Sequence, residues 1–152
     1  MLTVRKDALR DYIDRQLAPS AWLLIDQDRI SAFADATLDH QFIHVDEEKA
    51  ARTPFGRTIA HGYLTMSLIS YFGAECGIRP ENTVMAINYG SDKVRFLQPV
   101  KVDSRIRAQA VLKDVEEKAP GQILLKTRFN VEIEGEDKPA MVADILSLFF
   151  VT

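Results

Sequence analysis

Between Tyr63 and Gly77 the chain reads YLTMSLISYFGAECG, about fifteen residues with one charged side chain, Glu75. The run is too long for a typical strand and too short to span a bilayer, so it predicts a buried central helix. After Pro80 the pattern changes. VMAINYG, DKVRFLQPVKVDSRIRAQAVLKDV, QILLKTRFNVEIEG and AMVADILSLFFV are rich in β-branched and aromatic residues, with clear alternation in KVRF, SRIRAQAVL and FNVEIEG. These segments predict strands of one antiparallel sheet, separated by turns at Pro99, EEKAPG and EGEDKP. An almost wholly apolar helix followed by long strands points to an α+β fold whose sheet wraps the helix. An unrelated two-layer α+β sandwich fits the same pattern.

The 152 residues and 47% apolar content suit one core and one domain, spanning 1–152. A net charge of -3 leaves no basic footprint for nucleic acid. The N-terminus, MLTVRKDALRDYIDRQL, carries charges every two or three residues, which fits neither a signal peptide nor a membrane span and predicts a cytoplasmic chain. Within it Val4, Ala8, Leu9, Tyr12, Ile13 and Leu17 recur at helical spacing until Pro19, predicting a helical N-terminal extension over 1–19. WLLID (22–26) suits a short strand, and Asp28 can cap a following helix that carries Ile30, Phe33 and Ala34 on one face. Cys76, the only cysteine, excludes an intrachain disulfide and reads as a small buried hydrophobe.

Every histidine falls in DATLDHQFIHVDEEKAARTPFGRTIAHG (35–62): His40, His44 and His61, interleaved with Asp35, Asp39 and Asp46. Imidazole titrates nearest neutrality, and a neighbouring carboxylate fixes its tautomer and orientation. The cluster occupies the irregular connection into the central helix, where a rigid scaffold can position functional groups. Should the chain turn sharply after Asp39, Asp39 and His44 can face one another across a single water and move its protons to a substrate carbon. The competing reading makes Asp39 a turn cap and His44 a ring packed at the core edge. Gly62 opens the central helix, where free N–H groups and the helix dipole favour a developing oxyanion; a glycine that merely permits tight entry is the alternative. A metal bound by His40, His44 and aspartates would need one helical face, and the stretch does not read as a helix, so no metal is assigned.

The run FADATLDHQFIHVDEEKAARTPFGRTIAHGYLTMSL resembles the signature of the MaoC-like (R)-specific enoyl-CoA hydratases, in the branch of nodulation-protein-N-like and mycobacterial single-domain hydratases. The family pattern is an aspartate, four residues, a histidine, a second aspartate two on, and later a histidine-glycine pair. Here these are Asp39, His44, Asp46 and His61-Gly62, and INYGSDKVRFLQPV is also familial. Many members carry glycine before the first aspartate and Asn-Pro within the motif, where this chain has Leu38 and Gln41-Phe42. The resemblance implies a hot-dog fold, a homodimer with its sites at the interface, and reversible hydration of trans-2-enoyl-CoA to (R)-3-hydroxyacyl-CoA. Asp39 and His44 would activate water, Gly62 N–H would hold the thioester oxygen, and Phe42, His61 and Tyr63 would lie against substrate. No metal or redox cofactor is implied, coenzyme A being part of the substrate.

A hot-dog thioesterase and a catalytically silent acyl-CoA-binding subunit are the competing functions. For the CoA phosphates the candidates are Lys93, Arg95, Arg105 and Arg107, which alternate along strand faces. Solvated strand positions are the other reading of each. Ser70, Gly73 and Gly77 line one face of the helix with small side chains, either for close strand packing or for an acyl tunnel.

Overall fold

In SRIRAQAVL the alternation puts Ile106, Ala108, Ala110 and Leu112 on one face. All four are fully buried in the computed structural model, which describes residues 1–152. They belong to the strand Ser104–Ala119 (β5) of a five-stranded sheet with Leu23–Ile25 (β2), Thr83–Phe96 (β4), Gln122–Ile133 (β6) and Met141–Val151 (β7). The order is β2-β5-β6-β7-β4, and every neighbouring pair is antiparallel. Leu2–Val4 (β1) and Ile78–Pro80 (β3) form a separate parallel pair. The strand segments VMAINYG and KVRF are one strand, β4, bent by register shifts near Asn88 and Ser91.

The predicted central helix forms as Gly62–Ser67 (α4) and Ile69–Cys76 (α5). Leu68 between them keeps right-handed helical dihedrals, and the bonds Leu68 N–H to Leu64 C=O (3.1 Å) and Phe72 N–H to Leu68 C=O (2.9 Å) carry the rod through. Leu64, Ile69, Phe72 and Cys76 face the sheet and pack with Ile106, Ala108, Ala110, Phe129 and Val131. Each large side chain so buried contributes about 1.5–3 kcal/mol. The helix is not buried all round, because the sheet covers one flank only. Tyr63 and Tyr71 on the open flank are exposed, as tyrosines tolerate.

Other expectations are corrected by long-range pairing. The N-terminal extension is not one amphipathic helix but β1, a short 3₁₀ helix at Lys6–Tyr12, and an extended stretch along β5. Beyond β2 the edge of β5 is open, and Asp14, Leu17 and Ser20 N–H donate to Leu112, Ala110 and Ala108 C=O at 2.9, 3.2 and 2.9 Å. Val4 and Leu9 meanwhile fill a second small core with Leu112, Val115, Ile123 and Leu125. Helix Gln27–Thr37 (α1) is capped by Asp26, whose carboxylate accepts from Arg29 N–H; Asp28 lies inside the first turn, where its charge suits the helix dipole. The segment after Asp39 does contain helix, a single turn at Phe42–Val45 (α2) followed by Glu47–Ala51 (α3), too short for sequence periodicity to register. No helix is long and apolar enough to cross a membrane.

Candidate active site

Leu38, the residue after α1, adopts a left-handed conformation (φ 63°, ψ 20°) and turns the chain sharply into Asp39. The single turn α2 then delivers His44 into the core edge, where it is 6% exposed. Its Nδ1 lies 2.7 Å from the Ile59 carbonyl, and a carbonyl can only accept, so Nδ1 carries the proton and Nε2 keeps a free lone pair. Burial, first of all, holds His44 below the usual imidazole range, and the neighbouring His61 adds to this; the Ile59 bond and the Asp39 charge oppose it. Gln27 braces the same turn, donating to His44 C=O at 2.8 Å and accepting from the fully buried Thr58 hydroxyl at 2.6 Å. Gln27 and Thr58 carry no motif that sequence reasoning could have used; only the fold brings them to His44.

His61 is almost wholly buried and stacks on His44, ring centroids 3.8 Å apart and planes 24° from parallel. Its Nε2–H donates to the Asp39 carbonyl at 2.9 Å, which ties the aspartate turn to the start of α4. One nitrogen or carboxylate oxygen from each of Asp39, His44 and His61 lies within 4.8 Å of the others. Two hydrogen bonds of ordinary length meeting at one water span about 4.6 Å, so the separation of Asp39 and His44 is compatible with one water held between them. The triad is poorly built for a metal. His61 Nε2 is committed to Asp39 and Nδ1 is enclosed without access, which leaves two donors where zinc takes three or four. His40 stands apart from the cluster in an exposed pair with Asp35. Asp46 caps α3, accepting from Lys49 N–H at 3.0 Å, and that bond with the Lys49 ammonium holds its carboxyl below the usual range.

Gly62 N–H makes no backbone hydrogen bond. A side chain at this position would meet the Phe96 ring at 3.1 Å, so glycine lets Phe96 close over the helix start. A cavity of about 380 Å³ lies between His44, Ile59, Gly62, Thr65, Phe96 and Val100. Along the helix a second follows, between Tyr63, Met66, Ser70, Asn88 and Ile145, and then a third of about 390 Å³ beside Ser70, Gly73, Gly77 and Phe129. Ser70, Asn88 and Ile145 are shared by the last two, so the space continues down the small-residue face. Tyr63, exposed, lines the second cavity and sets its ring edge-on to Phe96, whereas Phe42 is exposed and lines none of the three. Gly77 has a purely structural reason, since a Cβ there would stand 2.5 Å from the Gly73 carbonyl.

The four cations predicted for phosphate are not gathered at the cluster. Arg105 and Arg107 alternate with the buried Ile106 and Ala108 and so point outward, paired with Glu134 (3.0 Å) and Glu132 (2.7 Å); Arg107 also lies over the Trp22 ring. Lys93 and Arg95 flank the inward Val94 on β4 and are exposed.

Comparison with known proteins places the chain in a family. The family described as the MaoC like domain matches residues 9–134. The chain belongs to the MaoC-like dehydratase family. Nodulation protein N of Rhizobium leguminosarum bv. viciae is 43% identical over 90% of this chain and 85% of its own length. The 3-hydroxyacyl-thioester dehydratase Z of Mycobacterium tuberculosis (strain ATCC 25618 / H37Rv) is 45% identical over 85% of each. Among solved structures, the (R)-hydratase from A. caviae involved in PHA biosynthesis superposes with a TM-score of 0.71 at 24% identity, covering 87% of this chain and 92% of that one. The MaoC-like chain therefore has the hot-dog architecture, a curled antiparallel sheet with a helix in its hollow.

Proposed function

We propose that this MaoC-like protein hydrates trans-2-enoyl-CoA thioesters to (R)-3-hydroxyacyl-CoA and catalyses the reverse dehydration. The observation that carries the reading is the Asp39–His44 pair, within 4.8 Å of each other, with His44 Nδ1–H fixed by Ile59 so that Nε2 keeps the lone pair a base needs. In this reading a water held by both groups gives a proton to His44 as its oxygen bonds C3. The C2=C3 electrons move toward the thioester carbonyl, whose oxygen takes the free Gly62 N–H. A proton from the Asp39–His44 pair then goes to C2, so H and OH are added and both groups return to their starting state. The acyl chain runs down the helix beside Ser70 and Gly73, and no metal or redox cofactor enters a step. Family membership and the 3-hydroxyacyl-thioester dehydratase name of a 45%-identical relative support the reaction class.

The working unit in this reading is a homodimer joined along β4. That strand is a fourteen-residue edge with Val84, Met85, Ile87 and Tyr89 exposed, an unguarded apolar border that a second copy can cover. Crotonyl-CoA hydration, followed by loss of the conjugated thioester absorbance, tests the site. Asp39→Asn and His44→Ala should each lower kcat by roughly 10²-fold or more while the fold persists. Wild-type turnover in Asp39→Asn would sink the assignment.

A further inference from the structure

The third cavity, beside Gly73, is not a plain hydrocarbon slot. Ile69, Phe129 and Ile145 supply apolar wall, but Thr127, Ser147 and Asn88 also face it, so three side chains that can hydrogen-bond line the space. Thr127 decides the matter. It is only 9% exposed and sits on the inner face of β6 between the buried Leu125 and Phe129, where valine, with a second methyl in place of the hydroxyl, would serve packing better. The strand register sets the three together. Asn88 lies directly opposite Ser147, while Thr127 lies opposite Ile145 and so on the diagonal from Ser147, about 7–8 Å away. Ser70, which shares this cavity, is eight residues past Gly62, so the polar group stands about 12 Å down the helix from the oxyanion donor.

An unsubstituted alkyl chain drawn into this space would strip water from these groups and replace none of their hydrogen bonds. A chain bearing its own oxygen restores them, and sites of that kind discriminate strongly against the analogue that lacks the group. Resting on the acyl-thioester reading above, we propose that the preferred acyl chain carries a hydroxyl or keto oxygen in its distal part, held by Thr127, Ser147 and Asn88. The substrate class is thus an oxygenated enoyl thioester, supplied by a reaction that leaves an oxygen function in the growing chain.

The test compares trans-2-enoyl-CoAs of equal length, one unsubstituted and others with a hydroxyl at successive distal carbons, with crotonyl-CoA as a short reference. One hydroxylated isomer should exceed the unsubstituted chain in kcat/KM by about tenfold or more. Calorimetric binding of the saturated analogues should show the same order of preference without turnover. Thr127→Val with Ser147→Ala should bring the ratio to near unity, and Thr127→Ser, which keeps the hydroxyl, should retain it. Equal use of all chains by the wild type, or a preference that survives the double substitution, would overturn the proposal. Failure of the wild type on crotonyl-CoA, with the binding preference intact, would instead strike the hydratase reading alone.

Discussion

Leu38 stands where many relatives of this motif carry glycine, and its φ of 63° gives the physical reason: the turn into Asp39 needs the left-handed region. That conformation costs leucine about 1 kcal/mol, and the side chain, 82% exposed, recovers little by burial. Leu38→Gly should therefore stabilise the fold by about 0.5 kcal/mol, raising Tm by 1–2 °C or so in thermal unfolding; a lower Tm would contradict the strain. At His44 the sign follows from burial. Its folded pKa is depressed, so the neutral base survives as pH falls through the ordinary imidazole value of about 6.5 and is lost only below it. The acid limb of kcat/KM should accordingly lie below 6.5, and a limb above that value would contradict the assignment. Stability has the same sign: the unfolded chain takes up the His44 proton first, so the contribution is whole above 6.5 and declines as pH drops toward the folded pKa. With Asp39 and His44 acting on one water, as proposed, the double variant should be little worse than the worse single one.

At the level of elements, α5 is set against β6 so that a Cβ on Gly73 would touch Phe129 at 3.5 Å, an ordinary contact, while anything longer enters the cavity. Gly73→Leu should therefore lower the ratio of long-chain to crotonyl-CoA kcat/KM. Each excluded methylene removes on the order of 0.8 kcal/mol. Rates for a series of chain lengths measure this, and an equal fall at every length would return Gly73 to a packing role. The same elements explain what the sequence made legible. Alternation in β5 matched burial residue by residue at Ile106, Ala108 and Ala110, since one face of the strand meets the core and side chains alternate by covalent geometry. The Asp39, His44 and Gly62 spacing was readable as a motif, and the structure does bring the carboxylate and imidazole together. The N-terminal segment misled because helical spacing of Val4, Ala8 and Tyr12 is a local signal, whereas the partners that decide its conformation, Pro80 and the edge of β5, lie far along the chain. Thr127 and Gln27 were invisible for the same reason: a lone polar residue acquires meaning only from what packs around it.

At the scale of the whole molecule the exposed edge β4 would connect the proposed assembly to chemistry, because Met85, Ala86, Ile87 and Asn88 all line the third cavity while Met85 and Ile87 stay exposed. Placing a lysine on the edge is a general means of blocking strand pairing. Ile87→Lys should convert the proposed dimer to a 17.2 kDa monomer in sedimentation velocity, and an unchanged sedimentation coefficient would remove β4 from the interface. The proposed reaction is itself measurable. Incubation with crotonyl-CoA, followed by chiral analysis of the product, reads it most directly. The expected product is (R)-3-hydroxybutyryl-CoA with the thioester intact; release of free CoA, an (S) product, or no hydration of any trans-2-enoyl-CoA would contradict the hydratase assignment.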